Sequence, residues 1–402
     1  MKHGKGTRLL ALLACISIGS MTTACSSPSR PDSGPETSGT ASAVPTAEAT
    51  TVSSGEAATE TTAAAETTTA TDLTTTTVHK TTTTARKTTT TARKTTTTAQ
   101  KEPDYPSKSK TSSIGFGMYG VAPDDGWTTT FDDFIQSDWC NTFFVDSGDL
   151  KEALPKAKKH NSQLFVGVGG TLWRYYGGTA KLIDRYQEEI DKIIETAKNT
   201  GAYDAFAGFY MDEPLLAGVT HQDLLKATKY MREATGNKKR VFICFSLAGI
   251  APEQWTTETA SPPITPETGK YITDAAFDVY GTWTDATKKN FQELTDKMLT
   301  RLGNRSDVRV WYIPPVMNYG GRMTEQNSIT FLNGVLELLK KQKNPGGIMG
   351  YSYSVGLSET ESIGNIGLGD MLKSDRKDRW TKLFDRIQEV GRGICTGKTI
   401  GK

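Results

Sequence analysis

The larger, C-terminal part of this 402-residue chain predicts an α/β fold of the (β/α)₈ class, a TIM barrel. Short, near-continuous apolar segments alternate with helical patterns from residue 112 onward. Eight such pairs follow one another, and they fill about 290 residues, the length of a single barrel. Strands that are apolar throughout need cover on both faces, as parallel strands have when helices lie over them. A doubly wound open sheet is the alternative built from the same elements.

The predicted strands cover residues 114–119, 141–146, 163–169, 205–212, 240–247, 277–283, 308–314 and 347–353. These runs are rich in Val, Ile, Phe and Tyr, residues that suit a pleated, buried surface. The clearest helical patterns are 181–198, 222–233, 288–302, 328–341 and 375–390, where apolar residues return every three or four positions. The first, second and fifth helices of the series are shorter.

A different composition precedes the barrel. Apolar residues make up only 36 % of the whole chain, against roughly 45–50 % in globular proteins. The deficit lies in a Thr-dominated stretch between about residues 33 and 100. Residues 80–86, 87–93 and 94–100 repeat the heptad Lys-Thr-Thr-Thr-Thr-Ala-Arg, with Gln closing the last copy. No apolar core position recurs in it, so it is no coiled coil, and residues 26–111 are expected to be a disordered linker. As a flexible tether, the ~79 residues from Ser26 to Asp104 would span about 50 Å r.m.s..

Residues 1–25 read as an export signal: Lys2, Lys5 and Arg8 precede a short apolar run beginning at Leu9. Thr23-Ala24-Cys25 ends it and resembles the lipobox of bacterial lipoproteins, although Thr22 stands where Leu is usual. That resemblance implies an acyl (palmitate-type) anchor on Cys25, a membrane partner, and a place on the outer face of the cell membrane. Simple secretion is the alternative.

With 47 basic and 45 acidic residues, the formal charge of +2 offers no field for nucleic acid. The domain holds two histidines, His160 and His221, too few for a multi-histidine metal site. No metal or other cofactor is expected. Cys140 and Cys244 read as small core residues, and the odd count of three domain thiols argues against a disulfide framework. Gly167-Val168-Gly169-Gly170 lacks the rest of a phosphate or dinucleotide fingerprint. The domain, residues 112–393 with a short tail over 394–402, is expected to be monomeric.

In a barrel the chemistry sits at the C-terminal ends of the strands. Those ends bring Tyr119, Trp173, Trp283, Asn318, Tyr319, Tyr351 and Tyr353 to one rim, together with Asp146, Asp212 and Glu213. Sugars present flat C–H faces that stack on aromatic rings and hydroxyls that seek polar partners. These seven residues are therefore candidate oligosaccharide contacts, or else they fill the top of the barrel. Asp212-Glu213 ends an apolar strand, where repulsion and burial would raise one carboxyl pKa toward that of a general acid. Asp146 and Asp278 are reserve carboxylates, with Asp278 opening the predicted sixth strand, at the end that reads as structural.

Phe209-Tyr210-Met211-Asp212-Glu213-Pro214 resembles the strand-four motif of barrel glycoside hydrolases, whose large retaining clan carries Asn-Glu-Pro there. The resemblance implies that Glu213 is the acid/base. Two departures matter: Asp212 replaces the Asn, and residues 311–319 contain no carboxylate to serve as the strand-seven nucleophile. The Asp-Glu pair is also similar to that of substrate-assisted families such as barrel N-acetylhexosaminidases. There the Glu is the acid and the Asp orients the substrate's own 2-acetamido group. By their position on the eighth predicted strand, Tyr351 or Tyr353 would be the group to stabilise the acetamido oxygen. The expectation is a surface glycoside hydrolase, with a non-catalytic carbohydrate-binding module or an interaction scaffold on the same barrel as alternatives.

Overall fold

The computed structural model describes residues 108, 113–121, 130–176, 179–254, 261–353, 365–373, 376–377 and 379–398. The expected signal segment, the lipidation site Cys25 and nearly all of the expected linker lie outside them. Ten strands follow in chain order: β1 (Gly115–Met118), β2 (Thr142–Asp146), β3 (Gln163–Gly167), β4 (Trp173–Tyr176), β5 (Thr179–Leu182), β6 (Phe206–Asp212), β7 (Arg240–Phe245), β8 (Asp274–Asp278), β9 (Arg309–Ile313) and β10 (Pro345–Gly350). Eight of them form one parallel sheet in the order β2-β3-β6-β7-β8-β9-β10-β1, while β4 and β5 make a separate antiparallel hairpin. The sheet order follows the chain order all the way round, which is the (β/α)₈ arrangement and not the reversal of a doubly wound sheet.

The seam between β1 and β2 is closed by Asn141 instead of a regular ladder. Its N–H donates to the Phe116 carbonyl at 3.0 Å, and its side-chain oxygen accepts from the Phe116 N–H at 2.8 Å. Its amide nitrogen donates to the Ile114 carbonyl at 3.1 Å. Gly117 makes the close approach possible, because a Cβ there would stand 2.1 Å from the Thr142 carbonyl oxygen.

The main covering helices are α1 (Thr130–Gln136), α2 (Leu150–Lys159), α4 (Tyr186–Asn199), α5 (His221–Ala234), α8 (Asp285–Arg301), α9 (Glu325–Lys340) and α11 (Thr381–Cys395). Single turns at Gly169–Leu172 (α3), Leu247–Ile250 (α6), Pro266–Gly269 (α7) and Leu368–Met371 (α10) lie between them. In α4 the buried residues Ile190, Ile193, Ile194 and Ala197 form one stripe at helical spacing. Thr220, Thr284 and Thr324 cap α5, α8 and α9 by accepting a backbone N–H three residues on. Two predicted helices start late: residues 179–182 pair as β5, so α4 begins at Tyr186, and α11 begins at Thr381 instead of 375.

Inside the barrel, Phe165, Tyr210, Phe242, Trp311 and Met349 pack together, with Phe144 against them. At the N-terminal end Asp274, 0 % exposed, accepts from the Trp311 indole N–H at 2.7 Å and from Arg240 at 3.2 Å, with Arg309 at 3.7 Å. This buried ion cluster closes the floor. Chemistry is left to the other end.

Candidate active site at the barrel mouth

Side chains alternate along a strand, so the interior residues fix what points into the mouth. Tyr210 in β6, Cys244 in β7 and Ala276 in β8 all belong to the barrel interior. Asp212 and Asp278, each two residues beyond an interior residue, therefore point inward at the strand ends.

Glu213 would point outward if the strand continued. Its backbone instead takes φ +39°, a conformation uncommon outside glycine, while its N–H donates to the Cys244 carbonyl at 2.9 Å. Pro214 follows and ends the ladder. The bend places Glu213 beside Asp212 and Asp278 while leaving it only 9 % exposed, and its Oε1 is enclosed with no hydrogen-bond partner. Burial drives its pKa well above the usual glutamate range, and the Asp278 and Asp212 charges push it further.

Asp212 is the most exposed of the three acids, with Glu213 buried and Asp278 half-buried. Burial raises its pKa, while hydrogen bonds from the Tyr210 hydroxyl and the Cys244 thiol pull it back down. Tyr210 in turn shares a short hydrogen bond with the Tyr119 hydroxyl. Burial raises both tyrosine pKa values and that of Cys244 well above ordinary, so at neutral pH all three are proton-bearing donors. Cys244 is thus both the core residue expected and a partner of Asp212.

Asp278 corrects the sequence reading. It ends β8 instead of opening the strand, because Ala275 and Ala276 carry little strand propensity and the Phe277–Trp283 run displaced the predicted element. Its Oδ2 accepts from the Tyr280 hydroxyl at 2.5 Å, and its Oδ1 is buried without a partner. Burial, with the Asp212 charge behind it, pushes its pKa up to about 6. The sequence reading holds Asp278 only as a reserve carboxylate with a structural role, and Tyr280 is not among the expected residues, although Asp-x-Tyr at a strand end was there to be read.

The rim aromatics divide. Tyr119 packs edge-on against Tyr351 at 5.4 Å, Tyr351 stacks on Tyr280 at 5.5 Å, and Tyr280 meets Tyr319 at 5.5 Å, an arc over four of the strand ends. The other three expected platforms do not join it. Trp173 is 2 % exposed within the core that packs strands against helices, its indole N–H unpartnered. Trp283 lies between Phe291 and Phe331, over the space that a Cβ on Gly334 would fill. Tyr353 packs on Phe134 and against Gly369. Asn318 exchanges backbone hydrogen bonds with Ile366 and keeps its side-chain oxygen enclosed without a partner.

His221 begins α5 and its ring pairs with Thr268 at 2.6 Å. Among the described residues, no group of three or more His, Cys, Asp or Glu is placed to hold a metal ion.

Together these elements define a (β/α)₈ barrel with an acidic, tyrosine-lined mouth. No protein-family profile matches the sequence, and no curated protein matches it. Solved structures of similar shape include the agarase AgWH50C, at 10 % identity and TM-score 0.43, over 70 % of this chain and 51 % of that one. This chain thus spans about half the length of the agarase. A GH5_18 protein from Bifidobacterium longum subsp. infantis has 9 % identity and TM-score 0.46, covering 69 % and 79 % of the two chains. A fungal endo-β-N-acetylglucosaminidase from glycosyl hydrolase family 18 has 11 % identity and TM-score 0.42, covering 70 % and 97 %. These are likenesses of shape, and no residue's role is taken from them.

Proposed function

We propose that this chain is a glycoside hydrolase tethered to the outer face of a bacterial membrane, with Glu213 as general acid and Asp212 as its ionised partner. The observation that carries the reading is the Glu213 carboxyl: bent into the mouth, nearly buried, with no donor for Oε1 and two negative neighbours. A carboxyl in that setting keeps its proton near neutral pH, as a general acid must. Asp212 has two donors that favour its charged form. The Tyr119–Tyr351–Tyr280–Tyr319 arc offers apolar faces for sugar rings.

In this reading Glu213 protonates the glycosidic oxygen as the bond to the anomeric carbon breaks. The 2-acetamido oxygen of the substrate, oriented by Asp212, attacks that carbon and forms a cyclic intermediate. Water then opens the ring and returns a proton to Glu213. No enzyme nucleophile is needed, which suits a seventh barrel strand whose following residues hold no carboxylate before Glu325. An acylated Cys25 and the Thr-rich segment would carry the barrel outward from the membrane.

The test is hydrolysis of chromogenic glycosides, β-N-acetylhexosaminides among them, and of complex polysaccharides, by the parent and Glu213→Gln. Activity that disappears in Glu213→Gln supports the reading. Silence across the panel, with glycan binding retained in both proteins, turns it to a carbohydrate-binding module.

A further inference from the structure

We propose that Asp278 is a positioning residue of the Glu213 centre: the two carboxylates form a pair that holds one proton at neutral pH, with Glu213 as the holder. The inference deepens the hydrolase reading, but the pair itself stands on the geometry of three adjacent strands. Glu213 follows β6 and Asp278 ends β8. Between them β7 fixes Glu213 through the Cys244 carbonyl, which accepts its N–H at 2.9 Å. Each carboxylate of the pair keeps one enclosed oxygen without a partner, Oε1 of Glu213 and Oδ1 of Asp278. Among the described residues, neither forms an ion pair with a Lys, Arg or His.

Two enclosed like charges without a cation are costly, and one retained proton removes most of that cost. The donors decide which carboxylate keeps it. Asp278 has the Tyr280 hydroxyl to stabilise its negative charge, whereas among the described residues the Glu213 carboxyl has no such donor. The other groups facing the pair are Asp212, Tyr210, Cys244, Tyr119 and Tyr351. The Tyr119 and Tyr210 phenols and the Cys244 thiol stay neutral, and Asp212 has donors of its own. In keeping with this, Asp278 is the larger of the two charges acting on Glu213, and Asp278 itself sits at about 6. Such a pair titrates as one system in two steps. Tyr280 joins two parts of the mouth, because its hydroxyl holds Asp278 while its ring lies against both Tyr351 and Tyr319.

The experiment is carboxyl-detected NMR on the full chain labelled with ¹³C at the glutamate and aspartate side-chain carboxyls. The Glu213 and Asp278 signals are assigned by their loss in Glu213→Gln and Asp278→Asn. In the parent, Glu213 titrates well above the other glutamates. In Asp278→Asn its midpoint falls by about one unit or more, and in Asp278→Glu it stays high. An unchanged Glu213 midpoint in Asp278→Asn overturns the proposal. If Asp278→Asn does not fold, Tyr280→Phe provides the second arm. Losing the donor raises the Asp278 midpoint and lowers that of Glu213, and no movement of either overturns the pair. No substrate enters these measurements. A chain that cleaves no glycan can still show the pair, and an active enzyme whose Glu213 ignores Asp278 loses only the pair.

Discussion

Asp274 and Asp278 stand at the two ends of one five-residue strand, about 13 Å apart, and their surroundings are opposite. Asp274 is fully buried and meets the Trp311 indole and two arginines. Asp278 meets a tyrosine hydroxyl and two other acids. A compensated charge at the floor secures the barrel, and an uncompensated one at the mouth is available for chemistry.

Removing the floor carboxylate leaves Arg240 and Arg309 enclosed without their counter-charge. Asp274→Asn is expected to cost about 3–5 kcal/mol, read from urea unfolding at pH 7. A loss below about 1 kcal/mol would show that the two arginines find other partners and that the cluster is not what closes the floor.

Glu213→Gln keeps the shape of the side chain and removes its acidity. Turnover on any glycoside that the parent cleaves should fall by about 10²–10⁴-fold. Stability should hold or rise slightly, because a carboxyl with an unpartnered buried oxygen is replaced by an amide that can donate. Retained turnover would remove Glu213 from the chemistry.

Much of the barrel was legible because most of its strands are dense apolar runs, and Asp212-Glu213 stood out as a carboxylate pair closing one of them. Asp278 was misplaced because its strand, Asp274–Asp278, has two alanines at its centre while the residues after it look more strand-like. Trp173, Trp283 and Tyr353 were grouped with the sugar contacts because strand ends are visible in sequence, whereas the direction a ring takes beyond that end is not. Trp283 follows the space left by Gly334, about 50 residues later in the chain. The φ of Glu213, which brings both acids to one site, has no sequence signal beyond Pro214.

The aromatic division can be tested with one pair of variants. Tyr351→Ala removes a ring from the mouth arc and should weaken oligosaccharide affinity about tenfold, with stability little changed. Trp283→Ala should leave affinity as it is and lower stability by about 3 kcal/mol, since its ring fills the gap between Phe291 and Phe331. The reverse pattern, followed by calorimetry and urea unfolding, would return Trp283 to the binding surface.

Asn141 is expected to matter more than its place before a strand suggests. Asn141→Ala removes the acceptor of the Phe116 N–H and the donor to the Ile114 carbonyl, both at a buried seam. The expected loss is about 2–3 kcal/mol, with hydrogen exchange quickened first at Phe116. Exchange at Phe116 as slow as in the parent would mean that β1 and β2 hold together without this side chain.

The mouth carboxylates also set how stability responds to pH. Asp278 has a folded pKa of about 6, against about 3.9 for an unperturbed aspartate. Between those values the folded chain binds more protons than the unfolded one, so stability declines as pH rises from about 4 to 6 and levels off above. Glu213, raised further, continues the decline upward. Asp307 and Glu337 are pulled down by Arg305 and Lys340 and contribute in the opposite sense, so the whole-protein curve is a sum. The difference between parent and Asp278→Asn isolates the mouth. The asparagine variant should gain on the parent by on the order of 2 kcal/mol between pH 4 and pH 7, measured by urea unfolding. Parallel curves over that window would place Asp278 in ordinary solvent and deny it any hold on the proton of Glu213.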